Sequence, residues 1–317
     1  MISIIIPNYN GLENLKLVFN SILQQSYTDY KVILVDNGST DDSVIYTEND
    51  FPQFEIIKLR ENTGFAVAVN YGIDLALEKN SNDLICILNN DIELDIDFLS
   101  KGVKTFSENP EAGFVAVKML NYFRRDIIDN TGDFINSKAG APFMRGVGEK
   151  DEGQYDKKEF IFGACAGAAF YKPELFREVG KFDENFFAYL EDVDLSFRFQ
   201  LAGYKCFYNP EIICYHKRGD TTRKFSGWET YYTEKNLVSL RLKNYPLSLY
   251  IKKSPVFFAA RLRRLIKFFI KYPPGVFKAA LKGYLKGLTE IPTAFKKRKL
   301  IQRSRKVSTE YIESLFP

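Results

Sequence analysis

Short apolar runs alternate with amphipathic stretches over the first 120 residues of the chain. Four runs rich in Ile, Val and Leu have the length of buried strands: residues 3–6, 31–35, 54–59 and 84–88. Two stretches between them carry apolar side chains at helical spacing: residues 14–25 and 65–78. Alternation of strands and helices is typical of βαβ units, so the pattern predicts an α/β fold with a mostly parallel central sheet.

The pattern changes after this segment. Residues 121–160 are polar and rich in glycine, which predicts a β-rich or loop insertion. Regular patterning returns with the apolar residues 160–171. Beyond them we expect helices at 173–179 and 191–202 and a short strand at 205–208.

Composition places the chain among globular proteins, because 45% of its 317 residues are hydrophobic and 26% are charged. No run approaches the ~18 consecutive apolar residues of a membrane-spanning helix. The N-terminus also lacks the basic and long apolar regions of a signal peptide. The four cysteines show no CxxC spacing and lie in apolar contexts. We therefore expect buried thiols in a reducing compartment, which indicates a cytoplasmic protein.

Charge divides the chain into two unlike parts. Residues 1–250 contain 27 Lys and Arg against 37 Asp and Glu, which gives a net charge of −10. Residues 251–317 contain 17 against 3, which gives +14. A basic tail on an acidic body usually has an anionic partner, so we predict a body at 1–250 and a basic helical tail at 251–317.

Two amphipathic helices are predicted in the tail. Ser254 and Pro255 form a good helix start, and a helix from there through Tyr272 would have one apolar and one basic face. The apolar face would carry Phe258, Leu262, Leu265, Ile266 and Phe269, and the basic face Arg263, Arg264, Lys267 and Lys271. After a Pro-Pro-Gly break, a second helix would align three lysines in one row: Lys278, Lys282 and Lys286.

Two basic amphipathic helices in succession favour interfacial binding to an anionic membrane. Three alternatives stay open, namely packing of the tail on the body, dimerisation through the apolar faces, and nucleic-acid binding. Nucleic acid is the least expected partner, because no recognised reading motif accompanies the charge.

Polar residues follow each of the four predicted strands, at 7–11, 36–43, 60–65 and 89–91. In an open α/β sheet, ligands bind outside the carboxyl ends of the strands. Each loop alone is ordinary turn or helix-cap chemistry, but together they offer amides, a carboxylate and backbone donors suited to a nucleotide. The chain has neither GxGxxG after the first strand nor GxxxxGK[ST], so dinucleotide oxidoreductases and P-loop enzymes fit poorly.

Without a glycine-rich cradle, a bound diphosphate would need a divalent cation. Asp91, at the end of the fourth strand, is the candidate carboxylate ligand, with a turn or capping role as the alternative. His216 is the only histidine and a second candidate ligand, with a structural or surface role as the alternative. The acidic run 191–194 lies at a predicted helix start, where the helix dipole favours carboxylates, and it could also supply a general base.

These motifs resemble the inverting glycosyltransferases of family 2, which have the nucleotide-diphospho-sugar transferase (GT-A) fold, and they are similar to rhamnosyltransferase-like members. The resemblance rests on residues 3–10, 35–41, 62–65, 70, 88–91, 182–184, 191–195 and 216, in family order over roughly residues 1–220. It implies a GT-A catalytic domain at 1–250, whereas the tail at 251–317 lies outside it.

The resemblance also implies roles for the candidate residues. The implied nucleotide-sugar contacts are Pro7, Asn8, Asn10, Asp36, Asn37, Ser39, Asn62, Asn70 and Asn90. Asp36 would accept a hydrogen bond from the imide N–H of uracil or thymine. Asp91 and His216 would hold one Mg²⁺ or Mn²⁺, although Asn89 replaces the first aspartate of the family's usual DxD triplet.

Asp192 is implied as the general base that removes the acceptor hydroxyl proton, and Glu191 would orient the acceptor. Trp228 offers an aromatic face for the acceptor sugar, or ordinary packing. The implied activity is inverting, metal-dependent transfer of a sugar, with L-rhamnose favoured, from a dTDP- or UDP-sugar to a hydroxyl of a lipid-linked or polysaccharide acceptor. It would serve cell-envelope polysaccharide biosynthesis at the cytoplasmic face of the membrane. A catalytically silent sugar-nucleotide-binding or scaffold protein is the alternative, motivated by Asn89.

Overall fold

The computed structural model describes residues 1–79, 83–217 and 227–317. The strands are β1 (Ile2–Asn8), β2 (Tyr30–Asp36), β3 (Glu55–Lys58), β4 (Leu84–Leu88), β5 (Ile92–Leu94), β6 (Ala112–Asn121), β7 (Ile128–Asn130), β8 (Asp133–Ile135), β9 (Pro142–Met144), β10 (Glu159–Ile161), β11 (Ala168–Tyr171) and β12 (Lys205–His216). The helices are α1 (Leu12–Leu23), α2 (Ser43–Asp50), α3 (Phe65–Lys79), α4 (Phe98–Glu108), α5 (Pro173–Glu178), α6 (Glu191–Leu201), α7 (Trp228–Asn244), α8 (Leu247–Lys271), α9 (Pro274–Thr289), α10 (Ile291–Arg303) and α11 (Thr309–Ser314).

The central sheet has the strand order β10-β12-β6-β11-β4-β1-β2-β3. Strands β3, β2, β1 and β4 run parallel to one another, and β6 is parallel to β12. Strand β11 joins the two parallel groups by antiparallel pairing with β4 and β6. Strands β5 and β7 extend the sheet at β12 and β6, and β8 pairs with β9 outside it. The predicted α/β fold with a mostly parallel central sheet is confirmed.

Two apolar layers cover the two faces of the sheet, because side chains alternate along each strand. Ile5 of β1 faces a layer that includes α3, whereas Ile4 and Ile6 face a layer that includes Leu15 and Phe19 of α1. All three isoleucines are fully buried. Each such side chain contributes about 1.5–3 kcal/mol by leaving water, so β1 is the rigid centre that fixes the loop after it.

The elements predicted from the apolar pattern are present, with differences in extent. The run at 205–208 is the start of a much longer strand, β12, whose pairing with β6 shifts register between Asn209 and Ile213. That irregularity interrupts the apolar pattern, so the sequence predicted only the first part of the strand, at 205–208. The insertion at 121–160 contains β7, β8 and β9, as a β-rich segment.

The tail begins differently from its prediction. The expectation that a helix starts at Ser254 and Pro255 is wrong, because α8 begins at Leu247 and contains Pro255 in its interior. Proline has no N–H to bond the carbonyl of Ile251, four residues earlier. The hydroxyl of Ser254 donates to that carbonyl instead, at 2.9 Å, and so replaces the missing hydrogen bond.

The tail packs on the body, which is one of the alternatives that the sequence left open. Arg298 donates to the carbonyls of Leu242 and Tyr245 at the end of α7, at 2.6 and 2.7 Å. The ring of Phe316 lies 6.0 Å from the ring of Phe197. The domain boundary at 250 stays a prediction, and α8 crosses it. Over the described ranges 1–79, 83–217 and 227–317, we find no helix whose length and apolar content would let it cross a membrane.

Candidate active site

A cavity of about 900 Å³ opens at the carboxyl ends of the central strands. Ten of the predicted site residues line it: Pro7, Asn8, Asn37, Asn62, Asn90, Asp91, Glu191, Asp192, His216 and Trp228. They come from loops that are far apart in the sequence, and the parallel arrangement of β1, β2 and β4 brings the first six together. The remaining predicted residues, Asn10, Asp36, Ser39 and Asn70, lie outside this lining.

Side-chain amides hold the strand-end loops to one another. Asn90 donates to the Oδ1 of Asn8 at 2.7 Å, and Asn8 donates to the hydroxyl of Ser39 at 3.3 Å. The Oδ1 of Asn10 accepts the backbone N–H of Thr40 at 2.7 Å. Asn10 and Ser39 therefore fix the loops after β1 and β2 relative to each other.

Asn37 ties the third loop to the same edge. Its Oδ1 accepts the backbone N–H of Thr63 at 2.9 Å, and its Nδ2 donates to Gly64 at 3.1 Å and to Asn62 at 3.2 Å. Gly64 has φ of 86°, a conformation that glycine adopts without a steric penalty. The loop after β3 can therefore fold back against the cavity.

Two predicted nucleotide contacts have other surroundings. The Oδ2 of Asp36 accepts the N–H of Ser39 at 3.1 Å, whereas its Oδ1 is buried and has no hydrogen-bond partner among the described residues. Asn70 is buried on α3, where its amide donates to the carbonyl of Phe182 at 2.9 Å and accepts the N–H of Phe182 at 3.0 Å. Asn70 thus joins α3 to the segment before α6 instead of lining the cavity as predicted.

The two predicted metal ligands are brought together by the pairing of β12 with β5, in which His216 lies opposite Ile92. The Nε2 of His216 is 3.3 Å from the Oδ1 of Asp91, a buried oxygen that makes no well-formed hydrogen bond to any described residue. The Nδ1 of His216 is 2.8 Å from the Oδ2 of Asp129. Burial acts to lower the pKa of His216, but its interactions with the carboxylates of Asp129 and Asp91 outweigh burial and raise the pKa to about 9.

An aspartate cluster lies elsewhere on the cavity wall. Asp192 lies in the first turn of α6. Its carboxylate accepts the N–H of Ala166 at 3.3 Å and the N–H of Val193 at 2.8 Å. Ligand atoms of Asp133, Cys165 and Asp192 lie within 4.8 Å of one another. Burial raises the pKa of the Asp192 carboxyl, and burial together with the nearby Asp192 charge raises that of Asp133. Raised pKa values suit groups that exchange protons near neutral pH.

Two sets of side chains could hold a metal ion. The pair Asp91 and His216 supplies one oxygen and one nitrogen, with Asp129 orienting the imidazole from behind. The Asp133 cluster includes the thiol of Cys165, whose pKa burial raises well above its ordinary value. A protonated thiol is a poor ligand for Mg²⁺ or Mn²⁺, which prefer oxygen donors. Among the described residues, the pair thus offers one oxygen and one nitrogen, and the cluster offers two carboxylate oxygens beside a protonated thiol.

A strained turn sets the direction of α6. Tyr189 and Leu190 have φ of 67° and 69°, which is unusual for bulky side chains. Asn236 of α7 donates to the carbonyls of Ala188 and Tyr189 at 2.9 and 2.8 Å. This clamp aims the first turn of α6 at the cavity. The Oε2 of Glu191 is buried and unbonded within the described part of the chain.

The far wall of the cavity is aromatic and includes a residue of the tail. Trp228 lies 5.7 Å from the ring of Phe187 and 4.7 Å from that of Tyr232. Arg264 of α8 also lines the cavity, and its Nε lies 2.7 Å from the carboxylate of Glu234. Arg264 belongs to the basic face predicted for this helix, and it points toward the body.

The residues that sequence reasoning missed are Asp129, Asp133 and Arg264. Both aspartates lie in the insertion 121–160, where apolar periodicity gives no guide to which polar side chains meet. The sequence did contain a weak signal for them. Asp129 and Asp133 flank an Asn-Thr-Gly sequence, which is typical of a turn and would bring the two aspartates near each other. For Arg264, helical periodicity gives a position on a helix but not the neighbour that it faces.

Comparisons with known proteins identify the family to which the chain is similar. The profile described as Glycosyl transferase family 2 matches residues 3–180. O-antigen biosynthesis protein RfbC of Myxococcus xanthus is 26% identical over 243 residues, covering 73% of this chain and 19% of that protein. Poly-beta-1,6-N-acetyl-D-glucosamine synthase of Staphylococcus epidermidis is 23% identical over 218 residues, covering 68% of this chain and 49% of that protein. The chain thus spans about a fifth and about half of these two relatives.

The fold has a solved counterpart in S. aureus TarS, residues 1–349 in complex with UDP. The two structures agree with a TM-score of 0.56 at 13% identity, over 99% of this chain and 89% of that one. At this identity the likeness concerns the fold alone. Since the profile covers more than half of the sequence, the chain belongs to glycosyl transferase family 2.

Proposed function

We propose that this protein transfers a sugar from a nucleotide-sugar donor to a hydroxyl group, with inversion at the anomeric carbon. One observation carries the proposal: the carboxylate of Asp192 and the Asp91–His216 pair lie on the same cavity of about 900 Å³. Inverting transfer needs a base at the attacking hydroxyl and charge compensation at the departing diphosphate. The cavity offers both functions at different places on its wall.

In this proposal the chain's own residues perform one proton transfer and position the acceptor. The carboxylate of Asp192 takes the acceptor hydroxyl proton while that oxygen bonds to the anomeric carbon and the bond to the nucleotide diphosphate breaks. Glu191 precedes it in the same turn and offers its unbonded oxygen to orient the acceptor. Trp228 offers an aromatic face for the acceptor's sugar ring.

The donor is proposed to be a dTDP- or UDP-sugar. Support comes from Asp36, whose buried Oδ1 lacks a hydrogen-bond donor within the described ranges and could accept the imide N–H of thymine or uracil. Asp36 lies outside the lining of the cavity but directly precedes Asn37, which lines it together with Asn8, Asn62 and Asn90. TarS was crystallised with UDP, which is compatible with this choice. L-rhamnose as the sugar rests on the resemblance to rhamnosyltransferase-like members.

Asp91 and His216 are the residues proposed to hold a Mg²⁺ or Mn²⁺ ion. The unbonded Oδ1 of Asp91 beside Nε2 of His216 fits that role, because both atoms face the same space. A bound divalent ion would stabilise the negative charge of the leaving diphosphate. With Asn89 in place of a carboxylate, we expect a weaker site than one with two aspartates.

The acceptor is proposed to be a lipid-linked or polysaccharide glycan of the cell envelope, reached at the cytoplasmic face of the membrane. RfbC is named for O-antigen biosynthesis and the synthase for a polysaccharide, which supports a glycan product. Nucleic acid is not proposed as a partner.

A donor screen tests the proposal. UDP- and dTDP-sugars, including dTDP-L-rhamnose, are incubated with the protein, and release of UDP or dTDP is followed with and without Mn²⁺. We expect one donor to release its nucleotide faster with Mn²⁺. Asp192→Asn should lower turnover by about 100-fold or more while donor binding by calorimetry is retained. Asp50→Asn, an exposed change on α2, is the matched control.

Two outcomes would contradict the proposal. Unchanged turnover in Asp192→Asn would remove that carboxylate from proton transfer. Tight donor binding without release of nucleotide, in the wild-type protein and with every glycan acceptor tried, would favour the alternative of a catalytically silent binding or scaffold protein. Mn²⁺ binding measured by electron paramagnetic resonance should weaken in Asp91→Asn, independently of turnover.

A further inference from the structure

The outward face of α8 is apolar. Phe258, Leu262 and Ile270 are 72%, 51% and 70% exposed, and Ile251 and Ile266 are exposed on the same helix. These residues recur at helical spacing, so they form one stripe along α8. A contiguous exposed apolar surface on a globular protein usually marks a contact with another protein or with a membrane.

The inward face of α8 packs on the body, and the residues of the stripe take no part in that contact. Phe257 and Phe268 are buried there. Arg261 and Arg264 both pair with Glu234 of α7, a carboxylate with no exposed surface. Apolar side chains therefore lie on both faces of α8: Phe257 and Phe268 are buried beside the paired arginines, and the larger set in the stripe faces solvent. Docking of α8 on the body does not account for the stripe.

Helix α9 continues this surface. It packs on α7 through Gly283 and Gly287, where any side chain would overlap the α7 backbone. Its outer side carries two exposed rows of side chains. One row is Leu281, Leu285 and Leu288, and the other is Lys278, Lys282 and Lys286. Two contacts set the antiparallel register of α8 and α9, between Phe269 and Phe277 at 5.3 Å and between Arg261 and Tyr284 at 4.3 Å. The two apolar stripes therefore belong to one helical hairpin.

We propose that the outer face of α8 and α9 docks the protein onto an anionic lipid bilayer. Apolar side chains interleaved with lysines match a membrane interface, in which acyl chains lie beneath anionic headgroups. A second copy of this chain is the less suitable occupant. It would bring together two tails that each carry a net charge of +14 over residues 251–317.

Docking in this way also leaves a single helix, about 10 Å thick, between the bilayer and the cavity wall at Arg264. Arg264 lines the cavity from the inner side of α8, opposite the stripe that faces the bilayer. If the protein acts on an acceptor as proposed above, a lipid-linked one would therefore be within reach. This last step rests on the proposed function, whereas the docking itself does not.

Vesicle flotation tests the docking. Full-length protein is mixed with vesicles of phosphatidylcholine alone, or of phosphatidylcholine with phosphatidylglycerol, and centrifuged through a density step. We expect flotation with the anionic vesicles, weakening as salt rises. The variant Phe258→Gln, Leu262→Gln, Ile270→Gln should lose about 100-fold in partitioning, because three large apolar side chains no longer leave water. Glutamine keeps helix propensity close to that of the original residues.

A matched control shows whether the effect depends on where the apolar side chains lie or only on how many are lost. Ile45, Ile96 and Phe123 are 58%, 60% and 67% exposed but lie outside the tail. Their triple change to Gln should float like the wild-type protein.

A charge variant is independent of the apolar one. Lys278→Gln, Lys282→Gln, Lys286→Gln should weaken binding to anionic vesicles about 100-fold and flatten its salt dependence. Far-ultraviolet circular dichroism checks that each variant is folded.

Three results would overturn the proposal. The first is wild-type protein that stays unbound to anionic vesicles. The second is equal flotation of the stripe variant and the control variant. The third is a dimer in light scattering that the stripe variant converts to a monomer, since the face would then belong to a second copy. Because none of these measurements involves a sugar donor, failure here leaves the proposed transferase activity untouched.

Discussion

Replacing Gly287 with alanine tests how closely the tail is packed on the body. A Cβ at this position would lie 2.6 Å from the carbonyl oxygen of Lys235 and 2.9 Å from the Cγ2 of Val238, both on α7. Carbon and oxygen atoms in such contacts normally stay about 3.3 Å apart or more. The backbone oxygen cannot turn away as a side chain could, so α9 would have to move outward by roughly 0.7 Å on that spacing.

The expected cost follows from two opposing effects. Forcing an extra methyl group into a well-packed contact destabilises by about 1–3 kcal/mol. Alanine in place of helical glycine recovers about 0.5–1 kcal/mol. We therefore expect Gly287→Ala to lower the free energy of unfolding by roughly 0.5–2 kcal/mol. Gly275→Ala, in the first turn of the same helix, has no heavy atom within 4 Å of the added carbon and is the matched control.

Urea unfolding followed by tryptophan fluorescence measures both variants. The chain has one tryptophan, Trp228, at the start of α7, so the signal reports on the helix that α9 contacts. Gly275→Ala should be as stable as the wild-type protein or up to about 1 kcal/mol more stable. If Gly287→Ala were also stabilised, the close contact between α9 and α7 would be refuted.

The other predictions concern buried charges. Lys243→Met should destabilise by about 3 kcal/mol in urea unfolding, the lower end of the cost of breaking a buried ion pair. The buried Lys243 pairs with both Asp183 and Asp194, and without it these carboxylates keep only Lys297 and Arg198 as charged partners. Burial acts to raise the pKa of Asp183, but its lysine partners hold that pKa well below the usual range. This contribution is complete above about pH 4 and is lost as pH falls from there through the lowered pKa of Asp183, so the stability difference between the wild-type and Lys243→Met proteins should begin to narrow between pH 4 and pH 3. Asp192→Asn should lower the pKa of Asp133, followed by NMR titration, because burial and the neighbouring Asp192 charge raise that pKa and the substitution removes the charge.

Each of these has a result that would contradict it. A stability difference between wild-type and Lys243→Met protein that stays constant from pH 7 to pH 3 would mean that the ion pairs do not set the pKa of Asp183. An unchanged pKa of Asp133 in Asp192→Asn, in a protein with normal thermal unfolding, would mean that the two carboxyl groups are not electrostatically coupled. Asparagine retains an oxygen that can accept the N–H of Ala166, so the change isolates the charge.

The sequence predicted the half of the cavity that is built from strand ends. The apolar runs at β1, β2 and β4 mark where each strand stops, and parallel strands bring their carboxyl ends to one edge. Asn8, Asn37 and Asn90 were therefore identified as neighbours without coordinates. The positions of the strands and helices were predicted from side-chain periods of about two or 3.6 residues, which are properties of short segments.

The tertiary structure decided what faces these loops. Asn70 and Phe182 are 112 residues apart, and the buried amide of Asn70 is satisfied by Phe182 instead of by a ligand. Asp129 lies 87 residues before His216, yet it fixes the orientation of the imidazole. No local pattern contains these pairings. The first exists only once α3 packs against the segment before α6, and the second only once β6, β7 and β12 have formed one sheet.

The same distinction applies to the tail. Its sequence alone determined that 251–317 is basic, helical and amphipathic, since charge and helical spacing can be read along one segment. Only the tertiary structure decided which side of α8 faces the protein. Glu234 is buried on α7, and a buried carboxylate must be paired, so Arg261 and Arg264 turn inward and the apolar stripe faces outward.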